Sequence, residues 1–243
     1  KSPILLRDKE IAVGLLRSFI SGTLEASEVF DVELLGKYLA IVDIWGAWHP
    51  LRWHNIRFAY DPISAKLEPI GYDAETTDPT DLPTDEHDLP KRFLEDGYVR
   101  LAYVNSIKEL HRQVHNPIFI DQFISEGNQY ESFLRNEHLF IPDSTSILEN
   151  ISRRSDDLFE KWFHQNINIV SINKCNNKNI SGWALSVNNP EESISFNLKA
   201  KEEVLRIDAN LNHDSFFTHG LTTLGLSNDL HGFFIKNKNI DGQ

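Results

Sequence analysis

The chain has 243 residues, 40% of them hydrophobic, so it can build one large domain or two small ones around a real core. Its 24 basic and 36 acidic residues give a net charge of −12, which argues against a nucleic-acid surface or an anionic membrane as partner. No apolar run is long enough to cross a membrane. The single cysteine, Cys175, excludes an internal disulfide and a cysteine-based zinc site.

The N-terminal part of the chain is predicted to be helical. Residues 1–8 are expected to be extended, and Asp8 is a suitable N-cap for a first helix. Apolar residues at helical spacing predict a second helix, which begins at about Ser27 or Asp31. This second helix is expected to end at Gly46, because glycine commonly follows the last helical turn.

A β-hairpin is predicted next. Residues 54–60 alternate in polarity, residues 61–65 contain the Asp-Pro pair typical of a turn, and residues 66–72 return as a second strand. The two open ends of an antiparallel hairpin are neighbours. Residues 54–55 and 73–75 are therefore expected to bring an imidazole, an amide and two carboxylates together, which suits oxygen ligation of Mg²⁺. The alternative is a surface hairpin with polar ends.

The rest of the chain changes from helical to β-like patterns. Residues 76–90, which are acidic and contain three prolines, are predicted to form a loop. Helices are then predicted at 89–94, 98–115, 119–127, 128–139 and 142–166. Short β-like runs between Asn-rich turns predict a small antiparallel sheet or sandwich, with strands at 169–172, 182–187, 193–198, 204–209 and 232–236. The predicted fold class is α+β, with a mainly helical domain at 1–166 that includes the hairpin at 54–73, and a small β domain at 167–243.

Two histidines lie on one predicted helix. His111 and His115 are four residues apart, so they share one helix face and could bind a metal ion. Exposed histidines that bind no ligand are the more common case for such a pair.

The hairpin region carries a family resemblance. The segment WHNIRFAYDP at 53–62 is followed by KLEPIGYDAE at 66–75, and the stretch FLEDGYV stands at 93–99. Their order and spacing resemble the CotH-type (spore-coat protein H) atypical kinases over about residues 5–165. The resemblance implies a kinase-C-lobe-like helical domain with a catalytic hairpin, which transfers the γ-phosphoryl group of ATP to Ser or Thr of a protein.

The resemblance also assigns metal ligands. Asn55 matches the Asn that opens the family's strand, and Asp73 matches its metal-binding Asp. Glu75 stands at the position of the family's second acid. The implied cofactors are ATP and Mg²⁺, with Asp73, Asn55 and Glu75 as the metal ligands.

The chain departs from the family at the catalytic base. The family has an Asp about five residues before the position of Asn55, where this chain has no acid. His49 could replace it as general base, because histidine changes protonation near neutral pH, and Asn55 would complete the catalytic pair. Asp43 lies further back, on the predicted helix. Arg52 or Arg57 could contact the phosphates.

These departures leave a second function open. Without the usual Asp, the chain could be a catalytically inactive, kinase-like scaffold in a bacterial spore coat or cell-surface assembly. The family's N-lobe, with its nucleotide-binding Lys, lies upstream of the region that the resemblance covers. Under either function, the expected partner is a protein substrate or a coat or surface protein. The spore coat, the cell surface or secretion is favoured over the cytoplasm.

Overall fold

The protein has a mixed α+β, mainly helical structure, as predicted. The chain divides into two compact units, residues 1–161 and residues 162–243. The computed structural model describes residues 2–74, 88–135, 143–164, 168–175, 179–187, 194–200, 203–211 and 231–236.

Helices dominate the first unit. The described helices are α1 (Pro3–Ile20), α2 (Ala26–Val29), α3 (Val32–Trp45), α4 (Asp88–Glu95), α5 (Gly97–Val114), α6 (Pro117–Leu134) and α7 (Ser144–Phe163), which ends just past the unit boundary. None of these described helices is long and apolar enough to span a membrane. The unit's strands are β1 (Arg57–Asp61) and β2 (Lys66–Ile70).

The extended segment predicted at residues 1–8 is wrong, because α1 already begins at Pro3. Proline suits the first turn of a helix, since its missing N–H would have no helical partner there. The backbone of Ser2 accepts the first bond of the helix, from the Leu6 N–H at 3.2 Å. The helix therefore starts five residues before Asp8.

Helix α3 ends as the sequence predicts. The Asp31 carboxylate caps its first turn by accepting the Leu34 N–H at 2.8 Å. Gly46 follows the last turn in the left-handed region, with φ of 64°. The predicted start at Ser27 belongs instead to the separate short helix α2.

The predicted hairpin is confirmed, with shorter strands than expected. Strands β1 and β2 pair antiparallel, with Arg57 opposite Ile70 and Asp61 opposite Lys66. The Asp61 carboxylate closes the turn by accepting the backbone N–H groups of Ile63 and Ser64, each at 3.0 Å. Residues 54–56 lie in a turn that precedes β1, rather than in the strand.

Aromatic packing fixes the hairpin to the helices. Phe30, which links α2 to α3, contacts Phe58 of β1 with ring centroids 4.9 Å apart. Phe30 also packs edge-on against Phe19 and Phe93, each at 5.1 Å. The Asp31 N–H donates to the Leu67 carbonyl at 2.9 Å, which ties β2 to the start of α3. The orientation of the hairpin is therefore set by the helical core.

Helices α3 and α5 approach closely at Gly36. A Cβ at this position would lie 2.6 Å from both the Ala102 Cβ and the Tyr103 backbone nitrogen. Only a glycine allows such a close approach of two helix backbones. This approach brings Tyr103 of α5 within reach of the end of α3.

Helix α6 corrects a second prediction. The sequence suggested two helices that meet near Gly127, but α6 runs without a break from Pro117 to Leu134. A Cβ at Gly127 would lie 2.0 Å from the Ser144 hydroxyl oxygen. The glycine therefore makes room for the start of α7 and does not end the helix.

The second unit contains one antiparallel five-stranded sheet, which confirms the predicted β character of this region. Its strands are β3 (Asn168–Cys175), β4 (Asn179–Ser186), β5 (Ile194–Ala200), β6 (Glu203–Leu211) and β7 (His231–Lys236). The strand order is β3-β4-β7-β6-β5, so the last strand inserts between β4 and β6. Trp183 of β4 is fully buried.

Candidate functional site

The loop between α3 and β1 starts with a defined pattern of backbone hydrogen bonds. At its start, the Gly46 N–H donates to the Asp43 carbonyl at 3.1 Å and the Ala47 N–H to the Val42 carbonyl at 2.9 Å. This paired pattern is the Schellman motif, which requires the left-handed conformation of Gly46. A single 3₁₀ turn, His49–Leu51, follows and presents His49 near the open end of the hairpin.

Asp43, the acid nearest to the loop on α3, is a buried anchor of the loop. Its two carboxylate oxygens accept hydrogen bonds at 2.5 Å from the Trp48 indole N–H and from the Tyr103 hydroxyl. The Arg154 guanidinium of α7 lies 5.1 Å from the Trp48 ring centre, within cation–π range. Asp43 is 2% exposed, so its carboxylate cannot reach a protein substrate.

His49 and Asp73 are in direct contact. The distance between His49 Nε2 and Asp73 Oδ2 is 3.0 Å, and their side chains are 28% and 41% exposed. Asp73 adopts φ of 55° just after β2. Asp tolerates this left-handed conformation better than most residues, and such conformations recur at functional sites. The sequence predicted His54 and Asn55 as the neighbours of Asp73, whereas the imidazole in contact with Asp73 is that of His49.

Asn55 is connected to the same group through the backbone of His49. The Asn55 amide nitrogen donates to the His49 carbonyl at 3.2 Å, and Asn55 is buried. A carbonyl can only accept, so the NH₂ of the amide must face it. This leaves the amide oxygen of Asn55 as a ligand or acceptor. Asn55 is therefore linked to Asp73 only through His49, by way of the His49 backbone.

The arginines predicted to contact phosphate have different surroundings. Arg57 donates to the carbonyls of His54 and Ile56 at 2.8 and 3.0 Å, and its guanidinium lies 5.1 Å from the Tyr72 ring centre. Arg57 thus connects the loop before β1 to the segment after β2. Arg52 is exposed on the same loop. Glu75, the remaining predicted metal ligand, lies outside the described residues.

A second cluster joins α5 to α7. Asp156 Oδ1 lies 2.7 Å from His115 Nε2 and 3.5 Å from His111 Nδ1. The His111 ring stacks on Phe159 with centroids 4.2 Å apart, and its Nδ1 lies 3.2 Å from the Ser155 hydroxyl. Burial, followed by the neighbouring His115, lowers the pKa of His111 below its usual 6.5.

Three of the residues that shape these clusters were missed by the sequence interpretation. Tyr103 and Arg154 act on the loop from helices far along the chain, and Asp156 joins the two histidines across 41 residues. The one local signal was the i, i+4 spacing of His111 and His115. Nothing in the local sequence distinguishes Asp156, which completes the cluster with His111 and His115, from other acidic residues.

Comparisons of the chain with family models, with curated proteins and with solved structures find no match. The function proposed for the chain therefore rests on its residues, their contacts and the resemblance of its hairpin segments.

Proposed function

We propose that the chain is an ATP- and Mg²⁺-dependent phosphotransferase of the CotH kinase type, acting on Ser or Thr of a protein. The observation that supports this most strongly is the 3.0 Å contact between His49 Nε2 and Asp73 Oδ2. It joins the loop after a helix to the segment after a hairpin, in the order that the family resemblance implies. Asn55 lies between the two in sequence and bonds to the His49 carbonyl.

The donor chemistry of the cluster fits Mg²⁺. This ion prefers hard oxygen ligands and usually takes only one or two from the protein. Asp73 uses Oδ2 on His49, which leaves Oδ1, and Asn55 offers its amide oxygen. Mg²⁺, when bound, neutralises charge on the ATP phosphates. The predicted contribution of Glu75 remains part of the proposal.

His49 is the proposed general base. When its Nε2 carries the proton donated to Asp73, the other ring nitrogen, Nδ1, has a free lone pair. In the proposed reaction, the acceptor hydroxyl oxygen bonds to the γ-phosphorus of ATP as the bond to the β-phosphate oxygen breaks. The hydroxyl proton passes to His49 Nδ1, and ADP leaves. Asp73 stabilises the imidazolium that forms, as the acid of a catalytic triad does.

The two arginines have separate proposed roles. Arg52 is exposed on the loop that carries His49 and can contact a phosphate oxygen. Arg57 mainly holds the loop shape, because one of its guanidinium nitrogens already donates to two carbonyls.

Calorimetric titration of MgATP into the full-length protein tests the proposal. We expect saturable binding, and Asp73→Asn should weaken it by about 10-fold or more, since interactions with a charged group are worth about 1.5–3 kcal/mol. Asp61→Asn is the matched control, because Asp61 is a carboxylate at the opposite end of the same hairpin. Absent MgATP binding, or equal binding by Asp73→Asn and the unmodified protein, would contradict the proposal.

The inactive scaffold is a second candidate, favoured by one observation. Asp43, the acid nearest to the loop on α3, is buried and hydrogen-bonded to Trp48 and Tyr103, so only an imidazole is left as base in the described loop. Transfer of labelled phosphate from ATP to a generic acceptor protein separates the two functions. For an enzyme, His49→Gln should lower transfer by about 10²–10⁴-fold with ATP binding retained. MgATP binding without any transfer would favour the scaffold.

A further inference from the structure

We propose that His111, His115 and Asp156 bind a divalent transition-metal ion of the Zn²⁺ class and thereby join α5 to α7. This site is separate from the proposed Mg²⁺ ligands and does not depend on the phosphotransferase function. Each of the three residues offers one ligand atom, and these atoms all lie within 4.8 Å of one another.

The geometry is close to that of a bound ion. Zinc binds His nitrogen and carboxylate oxygen at about 2.0–2.2 Å, so ligand atoms of a tetrahedral site are about 3.3 Å apart. Asp156 Oδ1 lies 2.7 Å from His115 Nε2 and 3.5 Å from His111 Nδ1. These two distances lie on either side of the tetrahedral spacing.

The site is partly organised before any ion binds. His111 and His115 lie one helical turn apart on α5, with ring centroids 4.6 Å apart. The Ser155 hydroxyl lies 3.2 Å from His111 Nδ1, so an ion bound at Nδ1 would replace this contact. The His111 ring itself is held by its stack on Phe159. Positioning of this kind by residues around the ligands raises metal affinity.

The chemistry selects the class of ion. Two imidazoles and one carboxylate suit Zn²⁺ and its neighbours Co²⁺ and Ni²⁺, whereas Mg²⁺ prefers oxygen ligands alone. The side chains of His115 and Asp156 are 44% and 56% exposed, so water can enter and complete a four-coordinate ion.

An ion at this position acts on the helices that support the candidate active site. Helix α5 carries Tyr103, which holds Asp43, and α7 carries Arg154, which packs on Trp48. A metal bridge between α5 and α7 therefore stabilises the same two helices that shape the His49 loop.

The test is calorimetric titration of ZnCl₂ into the full-length protein, with Co²⁺ absorption in the visible range as a spectroscopic report of the ligands. We expect one Zn²⁺ bound per chain, and His115→Ala and Asp156→Asn should each weaken binding by at least about 10-fold, since even residues around a metal site contribute that much. At a given concentration, Zn²⁺ should also raise the melting temperature of the unmodified protein by more than that of these variants.

Two control variants distinguish this site from metal binding elsewhere on the chain. Asp157→Asn changes the next carboxylate on α7, which pairs with Arg153, so Zn²⁺ binding should not change. Asp73→Asn removes the proposed Mg²⁺ ligand and should also leave Zn²⁺ binding intact. Absence of Zn²⁺ binding, or binding that His115→Ala and Asp156→Asn do not weaken, would overturn the proposal. Loss of Zn²⁺ binding in Asp73→Asn would also overturn it, because the ion would then lie at the His49 cluster.

Discussion

Two carboxylates contact the loop between α3 and β1: Asp43, which is buried, and Asp73, which is exposed. Asp43 is 2% exposed, and both of its oxygens accept hydrogen bonds at 2.5 Å, from Trp48 and Tyr103. The Asp73 side chain is 41% exposed and contacts the single imidazole of His49. A buried carboxylate must have such partners, because burying a charge without them costs several kcal/mol.

The difference separates residues that hold the loop from residues that can react. Asp43 has no exposed oxygen to offer a substrate, but it fixes Trp48, the residue directly before His49. Asp73 keeps acceptor capacity toward solvent and orients the imidazole. Chemistry at this loop is thus expected to depend on Asp73 and His49, and folding of the loop on Asp43.

Asp43→Ala should have the largest effect on stability. It leaves two buried donors, the indole N–H of Trp48 and the hydroxyl of Tyr103, without their acceptor. Each such loss costs about 1–3 kcal/mol, so we expect the free energy of unfolding to fall by about 2–5 kcal/mol. Urea unfolding followed by circular dichroism of the helices measures this change. Asp73→Ala should cost less than about 1 kcal/mol, because the Asp73 carboxylate is exposed and its partner His49 is partly exposed. Equal losses in the two variants would remove the distinction between the carboxylates.

Local sequence patterns were enough to predict the hairpin that carries Asp73 and the end of α3. The Asp-Pro turn at residue 61 sets the register of the hairpin, and glycine at position 46 marks the end of α3. The turn predicts that residues 54–55 and 73–75 are neighbours at the open end of the hairpin. The contact between His49 and Asp73 does not follow from strand pairing, because His49 lies in the 3₁₀ turn before the hairpin.

The surroundings of Asp43, in contrast, depend on contacts between residues that are distant in the sequence. Tyr103 reaches Asp43 across 60 residues, because Gly36 lets α5 approach α3. Gly127 is similar: it read as a helix end, yet it makes room for Ser144 within a continuous helix. A single sequence does not distinguish a glycine that ends a helix from one that allows close packing.

Tyr103→Phe should have the second largest effect. The variant removes one hydrogen bond to a charged, buried acceptor, Asp43, and we expect the free energy of unfolding to fall by about 1.5–3 kcal/mol. Tyr38→Phe is the matched control, because the Tyr38 hydroxyl is buried and has no hydrogen-bond partner among the described residues. Its removal should leave stability unchanged or raise it by up to about 1 kcal/mol.

The control variant Tyr38→Phe should also change how stability depends on pH. Burial raises the pKa of Tyr38 from 10.0 to about 12 in the folded protein. Its contribution to stability is therefore complete below pH 10 and is lost as the pH rises toward about 12. Tyr38→Phe should lack this part of the alkaline destabilisation in urea titrations at several pH values. If Tyr103→Phe were as mild as Tyr38→Phe, the bond to Asp43 would not be a main support of the loop.

Gly46→Ala tests the loop at its first residue, and its backbone cost is smaller than the losses expected for Asp43→Ala and Tyr103→Phe. Alanine in the left-handed conformation costs about 1–2 kcal/mol, and Arg154 Nη1 lies 0.9 Å from where the new Cβ would stand. Gly14→Ala is the matched control, because this helical glycine has nothing within 4 Å of a Cβ. Alanine should stabilise α1 at that position by up to about 1 kcal/mol. The two glycine variants should therefore shift the urea midpoint in opposite directions. Shifts in the same direction would mean that the left-handed turn at Gly46 is not required to place Trp48 on Asp43.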